Sequence, residues 1–149
     1  PMRFTIFQDS HQGDRKGNED RLGYSYSRDV LLMVVADGMG GHMKGEVAAE
    51  IAVNEITRRF QHEARNKLRN PFDFLVSAIN SAHRAIVSYA VEKNMLECPR
   101  TTCVACIVQN GVAYWAHAGD SRLYVLRAGK LIAATQDHSR VQKMIDVGG

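Results

Sequence analysis

The chain has 149 residues, 45% of them hydrophobic, and a formal net charge of +3 from 19 basic and 16 acidic side chains. That length fits one domain, and the apolar share is enough for a packed core. The charges are scattered, so no basic stripe marks a nucleic-acid binder, and no stretch approaches the roughly 18 apolar residues a membrane span requires.

In chain order, Arg3 to Phe7 alternates weakly and predicts a first strand, and the polar segment from Ser10 to Asp20 predicts a loop. Leu22 to Tyr26 and the apolar run Val30 to Ala36 predict two strands joined through Arg28-Asp29. A glycine-rich stretch follows from Gly38 to Gly45. From Glu46 to Phe60, apolar residues recur at Ala48, Ile51, Ala52, Ile56 and Phe60, which predicts a helix with one core face. A second helix is predicted over Phe72 to Lys93, with a stripe of Leu75, Ile79, Ala82, Ile86, Tyr89 and Ala90. Asn70-Pro71 supplies its N-cap and a proline at the first helical position.

After Pro99 the pattern becomes extended. Thr101 to Val108 predicts a strand, Asn110-Gly111 a type I′ hairpin turn, and Val112 to His117 the return strand. Leu123 to Leu126 and Leu131-Ile132 continue the meander through a turn at Ala128-Gly129, and Val141 to Val147 suggests a further helix. Strands, two helices and then more strands predict helices packed on antiparallel sheets rather than βαβ units. Three cysteines are a poor disulfide framework; Cys103 and Cys106 sit in an apolar run and read as buried thiols, which suits a reducing, cytoplasmic compartment.

Three polar islands carry candidate chemistry. In Val34-Val35-Ala36-Asp37-Gly38-Met39-Gly40-Gly41-His42 an apolar strand delivers Asp37 to its end, and the glycines permit a sharp turn and a close approach. A carboxylate and a carbonyl there suit a hard cation such as Mg²⁺ or Mn²⁺, although a plain Asp-Gly turn has the same appearance. Glu19 and Asp20 form a second acidic cluster near Arg15, whose planar fork suits phosphate oxygens; a solvated loop is the alternative. His117-Ala118-Gly119-Asp120-Ser121-Arg122 is the third, and reads by itself as a polar turn.

In this order, Arg-x-x-Asn-Glu-Asp, Ala-Asp-Gly-Met-Gly-Gly-His and His-Ala-Gly-Asp-Ser-Arg resemble the bacterial branch of the PP2C-type metal-dependent protein serine/threonine phosphatases. Thr135 to Ser139 resembles the approach to that family's flap. The resemblance implies an α+β fold, an antiparallel β-sandwich flanked by helices in α-β-β-α layers. It implies hydrolysis of phosphoserine and phosphothreonine in proteins by metal-activated water at a two-metal centre holding Mn²⁺ or Mg²⁺, with a weaker third metal site. By position, Asp37 bridges the two metals, the Gly38 carbonyl binds one, Glu19 and Asp20 lie in or just outside the ligand set, Arg15 holds the phosphate, and Asp120 serves the third site. Met39 stands where eukaryotic members have a histidine as candidate acid, as in bacterial members; for His42 a structural or loop-orienting role is expected.

Family members continue to two more aspartate motifs beyond the flap, so residues 1–149 are expected to be the N-terminal part of the phosphatase domain, inactive alone and inclined to self-associate through edges and apolar faces left uncovered. The expected partners are phosphorylated proteins and a cognate kinase. The alternative expectation is a non-catalytic module that binds a phosphoprotein or regulator with an incomplete metal centre.

Overall fold

The computed structural model describes residues 20–39, 44–119, 123–127, 130–137 and 140–143. Its centre is strand β2 (Val30–Met39), flanked by β1 (Asp20–Tyr26) and β3 (Arg100–Gln109). Alternation along β2 sends Val30, Leu32, Val34 and Ala36 to one face, where all four are fully buried. The sheet continues through β4 (Val112–Ala118), β5 (Leu123–Arg127), β6 (Lys130–Asp137) and β7 (Arg140–Lys143). The strands lie in sequence order, every neighbouring pair antiparallel.

Helices α1 (Gly45–Glu63) and α2 (Pro71–Glu92) fill the connection between β2 and β3 and pack on one face of the sheet. The stripes read from the sequence are their inner faces: Ala48, Ala52, Ile56 and Phe60 of α1 are buried, as are Leu75, Ile79, Ala82 and Ile86 of α2. The Phe60 and Phe74 rings meet edge to face, 5.9 Å between centroids. Asn70 caps α2 as expected, its side chain accepting from the Asp73 amide at 3.1 Å, with Pro71 behind it. Asn110 and Gly111 both take positive φ, 55° and 73°, as a type I′ hairpin turn demands.

The other face of the sheet is also apolar but less covered: Tyr24, Val35 and Trp115 are 38%, 45% and 41% exposed. Cys103 and Cys106 have C-x-x-C spacing, yet β3 is extended, so they point to opposite faces and cannot share a ligand. Burial pushes their thiols up to about 12 and about 11, as expected of inert core cysteines.

Two expectations change. Residues 140–143 form strand β7 against β6, with Val141 opposite Thr135, where a helix was expected to start at Val141. A short isolated helix is marginal, and a β-branched residue beside a ready strand edge takes the ladder instead. Asp20, read as the end of a loop, is the first residue of β1. The strand expected over Arg3 to Phe7 and the turn at Ala128-Gly129 lie outside the described residues.

Gln109 is the one buried polar side chain among the core positions described, and it clamps the loop between the helices. Its Oε1 accepts from the Leu68 amide at 2.7 Å and its Nε2 donates to the Leu68 carbonyl at 2.9 Å. Gln109→Leu strands both main-chain groups in the core, which should cost about 2–4 kcal/mol. Urea unfolding of the chain checks this, with a lower midpoint and an unchanged slope expected.

Candidate metal centre

The candidate site lies at one end of the sheet, where β2 runs toward α1. Residues paired across an antiparallel ladder share a face, and Asp37 of β2 is paired with Asp20 of β1 on one side and Thr102 of β3 on the other. Positions 20, 37 and 102 are therefore paired in one row across the three strands, and Asp37 and Thr102 are on the face away from the helices. Like charges directly opposite each other repel. Two acidic residues at directly paired register positions suit a site that a cation neutralises.

Thr102 donates its hydroxyl to the Asp37 main-chain carbonyl at 3.4 Å, so that carbonyl points toward β3. Carbonyl directions alternate along a strand, which turns the Gly38 carbonyl toward the β1 side. The β1 ladder begins at Asp20 opposite Asp37, so no described residue of β1 pairs with Gly38. At this strand end two carboxylate positions and one main-chain oxygen are gathered, a hard oxygen donor set of the kind Mg²⁺ and Mn²⁺ accept.

Gly38 is buried on the opposite, helix-facing side of β2. A Cβ there would overlap the Gly45 carbonyl and fall 2.9 Å from the Glu46 nitrogen. The close approach that the glycines anticipated is thus to the first turn of α1, and the requirement at Gly38 is steric. Lys44, the N-cap of α1, is held in the left-handed region at φ 60° and gives no side-chain cap. Arg21 of β1 reaches Glu46 in that turn at 3.8 Å, a part-exposed pair of small value.

Arg15, Glu19, His42 and Asp120, the other residues singled out in the sequence, lie outside the described residues; of Asp20 and Met39 only the strand positions are described. Among the described residues no three His, Cys, Asp or Glu side chains come together as a metal-holding group. An apolar groove of about 220 Å³ opens between the helices and β3, lined by residues such as Ile56, Ile79, Ile86 and Cys103. It is on the helix side of the sheet, away from the face that carries Asp37. Sequence reasoning missed Thr102, because only the β2–β3 register sets it beside Asp37. It also missed the Asp20–Asp37 pairing; the alternation from Asp20 through Leu22 to Tyr24 could have extended the strand.

The chain belongs to the protein phosphatase 2C family, whose model matches residues 7–142. The serine/threonine phosphatase stp of Listeria welshimeri is 34% identical over 136 residues, 90% of this chain and 54% of that protein. Among solved structures, the serine/threonine phosphatase Stp1 from Staphylococcus aureus superposes with a TM-score of 0.65 at 30% identity, over 93% of this chain and 51% of that one. The catalytic domain of the phosphatase PstP, solved in complex with two manganese ions, superposes with a TM-score of 0.58 at 31% identity, over 83% of this chain and 50% of that one. The chain spans about half the length of the relatives it matches. The helix pair packed on an antiparallel sheet is shared with the superposed part of these phosphatases.

Gly38→Ala should lower the stability of the chain by about 3 kcal/mol, because the added methyl meets main chain rather than a side chain that can swing away. Thermal unfolding checks it; a melting temperature equal to that of the parent chain would contradict the contact.

Proposed function

We propose that this chain is the N-terminal part of a domain that removes phosphate from phosphoserine and phosphothreonine in proteins. What carries the reading is the Asp20–Asp37 pair at the end of β2, in a chain of the protein phosphatase 2C family. When bound, two divalent cations, Mn²⁺ or Mg²⁺, supply a water of lowered pKa and neutralise charge on the phosphoryl oxygens. The chain's own residues hold and orient. Asp37 would be the residue shared by the two cations, and the Gly38 carbonyl would help to hold one of them. Asp20 and Glu19 complete the acidic side, directly or through water. Arg15 presents a planar pair of donors to the substrate phosphate. Asp120 belongs to a weaker third position.

The substrates are phosphorylated proteins, with a kinase that makes them as the opposing activity, in a cytoplasmic setting that suits the reduced, buried thiols. The segment alone is expected to be inactive. Its apolar face around Tyr24, Val35 and Trp115 favours self-association when nothing else covers it. The second reading is a phosphoprotein- or regulator-binding module with an incomplete centre.

Phosphate release from a phosphothreonine peptide, with Mn²⁺ and the full-length protein, separates the two. Asp37→Asn should reduce the rate at least about 100-fold, with peptide binding retained, because the ligand carboxylate is lost. No Mn²⁺-dependent release from the unaltered full-length protein would favour the binding module.

A further inference from the structure

We propose that Thr102 is a positioning residue for the strand end that carries Asp37, an inference that rests on the metal-centre reading above. The register sets Thr102 directly opposite Asp37, on the side away from Asp20. Its hydroxyl donates across the strands to the Asp37 carbonyl at 3.4 Å. The neighbouring Thr101, opposite Gly38, bonds instead within its own strand, to the Thr102 carbonyl at 2.7 Å. Of the two threonines, Thr102 is the one whose hydroxyl reaches β2.

That carbonyl belongs to the peptide plane joining Asp37 to Gly38. Fixing the plane sets ψ of Asp37, and with it how the Asp37 side chain sits relative to the Gly38 main chain that follows. From the helix side the same peptide cannot shift, because Gly38 is pressed on the Gly45 carbonyl. On the other side the β2–β3 ladder holds it, and the Thr102 hydroxyl adds a contact to the same carbonyl. A hydrogen bond this long adds little to stability, yet orienting a ligand does not require strength. Groups that orient a ligand from just outside the ligand set typically change metal affinity 10–100-fold when removed.

The test uses the full-length protein and Mn²⁺ as the probe, followed by titration calorimetry and by the Mn²⁺ electron paramagnetic resonance signal. Thr102→Val keeps the branched shape and removes the donor; Thr102→Ser keeps the donor. Thr102→Val should weaken Mn²⁺ binding about tenfold, with Thr102→Ser close to the unaltered protein. The three proteins should melt alike in chelator. Unchanged Mn²⁺ affinity in Thr102→Val overturns the proposal. So does weakened binding that Thr102→Ser fails to restore and that tracks a lowered melting temperature, since that is a packing effect. Asp37→Asn is the control for the underlying reading. If it leaves Mn²⁺ binding intact, the metal centre is misplaced and the positioning role falls with it. If it abolishes binding while Thr102→Val changes nothing, only the role of Thr102 falls.

Discussion

The contact between Gly38 and the first turn of α1 governs how β2 ends, and the candidate centre depends on how β2 ends. Side chains alternate along the strand, so Ala36 and Gly38 face the helices while Asp37 faces away. With no side chain at Gly38, the Gly45 carbonyl comes up against the strand, and α1 starts directly beneath the strand end. A slip of one residue would turn the carboxylate into the apolar interior, against the helices. The buried even-numbered residues of β2 and the absent Cβ at Gly38 therefore fix one register, and that register aims Asp37 at the open face.

The register of the neighbouring strands then composes the row. β1 contributes a second acid opposite Asp37 and β3 a hydroxyl on the other side. Two acids opposite each other destabilise a bare sheet. Such a pair is tolerated where a cation offsets it, or where the strand end opens to water. The rest of the molecule holds the sheet in this register from elsewhere: the α1–α2 core lies against β2 and β3, and the Gln109 clamp and the Asn110-Gly111 hairpin fix the far end of β3.

Most of the helical layer was legible in the sequence, because its signals are local. The stripes of α1 and α2 have helical spacing, and Asn70-Pro71 names its own cap. The β3–β4 hairpin was legible for the same reason. What the sequence could not supply was non-local. The pairing of Asp20 with Asp37 joins residues 17 positions apart, and Thr102 reaches the Asp37 carbonyl across 65 positions. Val141 lies in a segment whose strand character comes only from the edge of β6. For the site, the sequence ended the strand at Ala36 and expected the glycines to turn the chain, whereas β2 runs on through Asp37 and Gly38 to Met39. Nor did the sequence indicate that the approaching group is the carbonyl of Gly45.

We propose the end of β2 that carries Asp37 as the seat of the divalent cations. Crystals of the full-length protein grown with Mn²⁺, with anomalous scattering recorded at the manganese edge, test it most directly. Anomalous peaks are expected at the end of β2, about 2.0–2.3 Å from a carboxylate oxygen of Asp37, as oxygen-ligated divalent cations require. Peaks confined to another part of the molecule, with the Asp37 carboxylate free of metal, would contradict it.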